Sequence, residues 1–596
     1  MALSSNDSMA DTKINFEVSF SEPQAHYVDV EMNIAGLSKD FVDVKMPVWA
    51  PGSYLVREFA KNVESFSAKD SKGTNLTFRK TNKNTWRINL NNKNEIKISY
   101  RVYAFELSVR TSFVDASHAF LSPTGIFMYV DGLIKEPATV KINLIKNWSK
   151  ISTGLESVKG KENTFFAPDF DILYDSPFEI GNQEMFEFTA AGVKHEVAMY
   201  GGGNYDKAKL AVDMAKIVET ETAIFHENPN KRYVFIVHNT SGGGGGLEHL
   251  NSTVLGARRL GYADEAGYKG FLGLVAHEYF HLWNVKRLRP QALGPFDYDN
   301  ENYTTDLWIS EGFTAYYDNL ILRRAGLYSP EKYLEVVNTD INTVENQPGN
   351  KFQPVSEASF DAWIKYYRPN ENSRNSTISY YDKGAVIALI LDLEILGATK
   401  GQKGLDDVMK AMYDEYYKKQ KRGFTDAEFK AMAEKIAGKS LEKIYNDYVN
   451  GTQPINFNNY LGHAGFYVTD DNKAKSTPYL GASTALRDGK VIVTSVARGG
   501  SAWNSGLNVN DEIIAIDNNR ITMAADPNTK MTDMERSIVT KKVGDKVQMI
   551  ISTDGLIQNL EVTLTANNTF KYRIVQDKDA TEDQLLIRRR WLALGE

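Results

Sequence analysis

Residues 273–290 read GLVAHEYFHLWNVKRLRP. The apolar residues of this run have the spacing of a buried helix, yet it carries His277, Glu278 and His281. Positions four apart on a helix share a face, one turn from each other, and Glu278 sits about 100° around the axis from His277. Burying two imidazoles and a carboxylate without partners is costly. A fold containing this helix must therefore bring it a cation or a set of buried polar partners. Imidazole nitrogens suit Zn²⁺, and a carboxylate beside them can take a proton from a water activated there. The bland alternative is a pair of core histidines beside an exposed glutamate.

A catalytic zinc takes three protein ligands and keeps one position open. No histidine follows His281 until His463, so the third ligand is expected to be a carboxylate. Glu311, in TTDLWISEGFTAYYDNLIL, lies in an apolar helical setting with aromatics on both sides. Asp297, Asp299, Glu301 and Asp306 are rivals in polar, loop-like sequence. Glu311 also reads as a helix N-terminal acid near the dipole.

At 596 residues the chain exceeds one core, and three or four domains are expected. Residues 13 to about 180 alternate apolar and polar with period two, as in VDVEMNI and EIKISYRVYAFEL, which predicts an antiparallel β domain over 1–182. YDKAKLAVDMAKIVETETAIF is helical in spacing, RYVFIVHN is a strand, and residues from 271 to about 450 are mostly helical. These make a catalytic region over 183–456 with a helical lobe. Strand signals return over 460–568, and 569–596 form a tail whose helix opens on a capping pattern at Thr581 and Gln584. The fold class is multidomain α+β.

The net charge of −7 argues against a general nucleic-acid binder. With no cysteine, disulfides, thiolate metal sites and cysteine nucleophiles are excluded. No apolar run reaches the length of a membrane span. The start, MALSSNDSMADTK, lacks the apolar core of a signal peptide. The expected location is cytoplasmic as the chain stands, or periplasmic if a signal peptide has been removed.

TSGGGGGLEHLNSTVLG follows the strand RYVFIVHN. Its five glycines are not a phosphate cradle of the usual kind, because the GK[ST] ending is missing. A floppy loop is one reading. The other is a bare backbone along which an extended substrate lies as an added strand.

HEYFHLWNVKRLRP with WISEGFTAYY resembles the glycyl aminopeptidase family of zinc peptidases, gluzincins related to aminopeptidase N. MPVWAPGSYLVREFAKNV resembles that family's N-terminal domain, and GGGGGLEHLNS its glycine-rich strand. The resemblance covers nearly the whole chain and implies a thermolysin-like catalytic domain between the β domain and a PDZ domain. It implies that His277, His281 and Glu311 hold zinc, that Glu278 is the general base, and that Asp318 steadies a zinc histidine from behind. The 29 residues between His281 and Glu311 exceed the gap of aminopeptidase N enzymes and fit the glycyl branch. In ISYYDKGAVIALIL the resemblance points to Tyr381 as the oxyanion donor, with Tyr380 as alternative. GGLEH stands where aminopeptidase N has its amine-binding segment, so Gly245 and Gly246 would line the substrate and Glu248 would pair with its α-ammonium. Leu247 and His249 depart from the Met and Asn of that segment. PYLGAS, SVARGGSAWNSGLNVNDEIIAIDNNRI and GDKVQMII resemble a PDZ domain, whose loop Tyr479 to Ala482 would take a peptide C-terminus. A rigid module that only packs on the catalytic domain is the other reading.

The expected activity is a zinc-dependent aminopeptidase favouring N-terminal Gly or Ala. An endopeptidase on the same scaffold, or a peptide-binding, chaperone-like protein with an inactive zinc site, are the alternatives. The intact Glu278 and the lack of a fourth protein ligand favour an enzyme. Peptides are the expected partners, and removal of the chain from about 464 onward is expected to leave a zinc-bound fold.

Overall fold

The structure is a computed structural model that describes residues 12–473, 476–523 and 531–593. The start of the chain that lacks a signal-peptide core therefore lies, up to residue 11, outside the described residues. Two compact units are present. One comprises residues up to 304 together with 317–328 and 406–429, and the other comprises 305–316, 329–405 and 430 onward.

The first unit opens with a seven-stranded sheet. Its centre is Ala138–Ile142, Lys13–Ser19 and Tyr27–Ala35. The period-two pattern is realised here: Val28, Val30, Met32 and Ile34 point inward and are almost fully buried, while the residues between them are half-exposed. The sheet is not wholly antiparallel as predicted, because Lys13–Ser19 also pairs in parallel with Ala138–Ile142. Alternation reports which face is buried and is blind to strand direction, so that pairing could not be read from it.

A second, five-stranded sheet follows in the same unit. Its order is Glu184–Ala190, Val193–Tyr200, Arg232–Thr240, Ser252–Arg258 and Gly246–Glu248. Arg232–Thr240 pairs in parallel on both sides and is buried on both faces, which is why YVFIV is continuous rather than alternating. Gly246–Glu248 runs antiparallel at the sheet's edge. Two helices pack together beside this sheet, Lys207–Phe225 and Glu265–Phe280. Each starts on an aspartate whose side chain accepts backbone N–H groups: Asp206 from Ala208 and Lys209, Asp264 from Gly267.

The second unit is built on the helix Tyr380–Ala398, nearly all of which is buried. It crosses a π-helical turn, Trp308–Gly312, backbone to backbone. A Cβ on Gly312 would lie 2.4 Å from Gly384 Cα, and one on Gly384 would lie 2.6 Å from the Trp308 carbonyl. Two glycines thus permit the close crossing. The helix Phe313–Arg324 continues from the π turn, and its later part, from Tyr317, belongs to the first unit.

The C-terminal module of this unit has its own core, including Val493, Ile513, Val547, Met549 and Ile551. It is tied to the helices by asparagines. On the helix Pro330–Glu345 and its C-cap, Asn338, Asn342 and Asn346 recur every fourth residue. Asn342 accepts from Tyr572 N at 2.8 Å and donates to Tyr572 O at 2.9 Å. Asn346 treats Phe570 in the same way, at 2.7 and 2.9 Å, and Asn338 accepts from Ile574 N. Asn375 bridges Val496 O and Arg498 N. A strand's alternate residues advance about 6.6 Å and one helical turn about 5.4 Å, so side chains four apart can follow one strand edge. The tail helix Glu582–Leu592 has the predicted capping box at Thr581 and Gln584. Its Trp591 is fully buried and donates to Tyr316 Oη at 2.9 Å. Nothing in the sequence periodicity marked this tail as part of the core, and it bears on the expectation that the chain beyond 464 is dispensable.

Candidate active site

The motif helix ends at Phe280, with His281 as its C-cap residue. The apolar run predicted a longer helix. Instead the chain folds back, with Lys286 N donating to His281 O and Leu288 N to Trp283 O, and Val285 takes φ 93°. The turn has a consequence for the site. It places the Asn284 carbonyl 2.9 Å from His281 Nδ1. His277 Nδ1 lies 3.0 Å from Asp318 Oδ2. Both rings are thus held through Nδ1, so Nε2 is the ring nitrogen that each could offer to a metal. The rings lie 4.8 Å apart at their centroids, edge to face.

Burial holds the Asp318 carboxyl above the usual carboxylate range, against the pull of His277. Behind it lies Glu221 of the helix Lys207–Phe225, a residue the sequence reading did not single out. It is fully buried, and among the described residues its carboxyl oxygens have no hydrogen-bond partner. Burial, then the charge of Asp318, pushes its carboxyl well above the usual range.

Glu248, Glu278 and His281 are all buried, and each offers an atom within 4.8 Å of the others. Glu248 ends the edge strand Gly246–Glu248. The preceding glycines are not a floppy loop: Gly244 N donates to Gly256 O and Gly256 N to Gly245 O, both at 2.9 Å. Gly243, Gly244 and Gly245 have φ of 68°, 101° and 78°, a path closed to most other residues. Gly246 is required for a different reason. A Cβ there would lie 2.1 Å from Glu278 Oε1. Gly52, from the β domain, has φ 84° and approaches Glu248 so closely that a Cβ would lie 2.7 Å from Oε1. Only the folded unit brings residue 52 to residue 248. His249 is held by Asp175, which also takes Lys286 and the Leu250 N–H, so it braces the strand end. Lys286 and His249 hold the Asp175 carboxyl low despite its burial.

The first unit therefore brings together His277, Glu278, His281, Asp318, Glu248, Gly245 and Gly246. Glu311 and both tyrosines belong to the second. Glu311 is 2% exposed within the π turn. Tyr381 opens the helix that crosses this turn, and burial, then the Glu311 charge, pushes its phenol well above the usual range. Tyr380 stacks on Tyr381 at 4.8 Å, and Tyr366 packs on both rings. Two rival ligands are engaged elsewhere. Asp299 takes Lys45, Asn84 and Tyr129, and Asp297 accepts from the backbone of Asp299 and Asn300.

Residues 15–182 match the Peptidase M61 N-terminal domain, and residues 270–387 match the M61 glycyl aminopeptidase. A solved aminopeptidase N family protein from Idiomarina loihiensis is 30% identical, with 97% of this chain and 100% of that one covered and a TM-score of 0.88. The chain belongs to the M61 glycyl aminopeptidase family. It is a metallopeptidase with the β-rich, helical and C-terminal parts of that family. Residues 478–564 match a PDZ domain. An M1 zinc metallopeptidase from Deinococcus radiodurans is 13% identical at a TM-score of 0.48, over 75% of this chain and 95% of that one. Legionella pneumophila aminopeptidase A is 14% identical at 0.46, over 81% and 55%. No curated protein matches the chain. Among the described residues no helix is long and apolar enough to cross a membrane.

Proposed function

We propose that this M61 protein is a zinc aminopeptidase that releases a small N-terminal residue, Gly or Ala, from peptides. The observation that carries the reading is the gathering of Glu248, Glu278 and His281 within 4.8 Å in buried surroundings. Two carboxylates so close together repel when buried, and a cation on the neighbouring imidazoles relieves them. The donor set fits zinc: two imidazoles fixed through Nδ1, with Glu311 as a third ligand from the π turn. Zinc bound to His277, His281 and Glu311 would supply a Lewis acid and lower the pKa of a water at the site.

The protein's own residues then divide the work. Glu278 takes the proton from the attacking water and passes it to the departing amine, so a neutral amine leaves. Tyr381 donates its phenolic proton as a hydrogen bond to the oxyanion, and its high pKa keeps it protonated. Asp318 keeps His277 oriented. Glu248 receives the α-ammonium, which sets the cut at the first peptide bond because base and amine anchor are so close. The preference for Gly or Ala at the first residue is carried over from the glycyl aminopeptidase family. Beside the PDZ loop, the strand Ala482–Arg487 is a sheet edge where a peptide would add as a strand.

Glycine and alanine anilides test the reading. The purified protein should hold about one zinc per chain, hydrolyse both anilides, and stop with chelator. Glu278→Gln should keep the metal and lose turnover. Full turnover in that variant contradicts the mechanism.

A further inference from the structure

Arg110 comes from the β domain, far in sequence from the catalytic strand. Its Nη2 donates to the Gly246 carbonyl at 3.3 Å, and a Cβ on Gly245 would lie 3.7 Å from its Nη1. Gly246 is also the residue whose backbone abuts Glu278. The guanidinium and the base therefore flank the same residue. Gly246–Glu248 is the last strand of its sheet, paired with Ser252–Arg258 alone among the described residues. A substrate added to this edge would lie beside the Gly246 carbonyl on which Arg110 sits.

Distance along the strand makes this position meaningful. Resting on the reading of Glu248 as amine anchor, an extended peptide lies with its amine at Glu248 and runs toward Gly246 and Gly245. Two strand residues span roughly 7 Å. That is the length of a dipeptide from its amine to its carboxylate. A guanidinium has five N–H donors in a planar fork, so it can hold one carbonyl and a carboxylate at once. We propose that Arg110 binds the C-terminal carboxylate of very short substrates, which makes dipeptides the preferred class. Glu248 and Arg110 would then measure the substrate from both ends, one reading its positive terminus and the other its negative terminus.

The test compares glycyl-alanine with glycyl-alanine amide, which differ only in the terminal charge. The unaltered enzyme should show a kcat/KM at least tenfold higher for the free acid, expressed mainly in KM. In Arg110→Ala the acid-to-amide ratio should collapse toward one, and Arg110→Lys should restore part of it. Because each protein is its own control, partial misfolding lowers both substrates and leaves the ratio intact. A ratio unchanged by Arg110→Ala, or an unaltered enzyme that prefers the amide, overturns the assignment. Calorimetric binding of the two peptides to the Glu278→Gln variant, with and without Arg110→Ala, gives the same ratio without turnover. If the unaltered enzyme releases no glycine from either peptide or from glycine anilide, the aminopeptidase reading fails. The binding ratio still decides Arg110 by itself.

Discussion

Asp318 Oδ2 lies 3.0 Å from His277 Nδ1, on the helix that continues from the turn carrying Glu311. One stretch of chain thus supplies both a candidate ligand and the brace of another. Partners of this kind fix the imidazole tautomer and raise its basicity, and their loss costs roughly 10–100-fold in metal affinity. Asp318→Ala is expected to weaken zinc binding by that factor, measured by competition with a chromogenic chelator.

Gly246→Ala should be far more damaging than its size suggests. The new methyl would occupy space 2.1 Å from Glu278 Oε1. Either the base or the edge strand must move, and a displacement of about 1 Å can cost on the order of 10²-fold in rate. Zinc content should stay at about one per chain while kcat for glycine anilide falls at least that far.

Much of this site can be read in the sequence, for a physical reason. His277, Glu278 and His281 lie on one helix and its C-cap, where a period of 3.6 converts spacing into geometry. The seven-residue step from Glu311 to Asp318 is likewise local. What the sequence did not reveal comes from contacts between distant segments. Gly52 against Glu248, Arg110 against Gly246 and Glu221 behind Asp318 have no local signature beyond a buried-looking acid on an amphipathic helix. The end of the motif helix is hidden in the sequence because apolar residues continue past His281, while the bonds Lys286 N to His281 O and Leu288 N to Trp283 O turn the chain. The asparagine series did have a signal: Asn338, Asn342 and Asn346 share a helix face that would otherwise read as solvated.

Those asparagines should hold the strand Tyr572–Gln576 against the helix Pro330–Glu345. Asn342→Ala removes both partners of the Tyr572 peptide groups. The cost of leaving such groups unmade is about 1–3 kcal/mol. Hydrogen exchange at the Tyr572 amide should rise sharply in this variant, with little change at Val493 in the module's own core.

Removal of the chain beyond 464 should not be benign. Trp591 is fully buried and bonds Tyr316, whose hydroxyl in turn donates to Asp392 at 2.6 Å. Truncating a buried tryptophan to alanine costs ~3–5 kcal/mol. Trp591→Ala is expected to lower the denaturant midpoint accordingly. The larger deletion should give a protein that aggregates or unfolds at a much lower temperature, monitored by light scattering during a thermal ramp.

As anchor of the α-ammonium, Glu248 would make the enzyme count from the N-terminus. The direct measurement is kcat/KM for a glycyl peptide with its amine free and with its amine acetylated, in the unaltered enzyme and in Glu248→Ala. Removing one partner of a buried ion pair costs on the order of 2–5 kcal/mol, or roughly 30-fold to several thousand-fold in rate. Acetylation and the mutation should each produce a loss in that range, and the mutation should change little once the amine is blocked. Equal cleavage of the free and acetylated peptides by the unaltered enzyme would contradict the account and make it an endopeptidase.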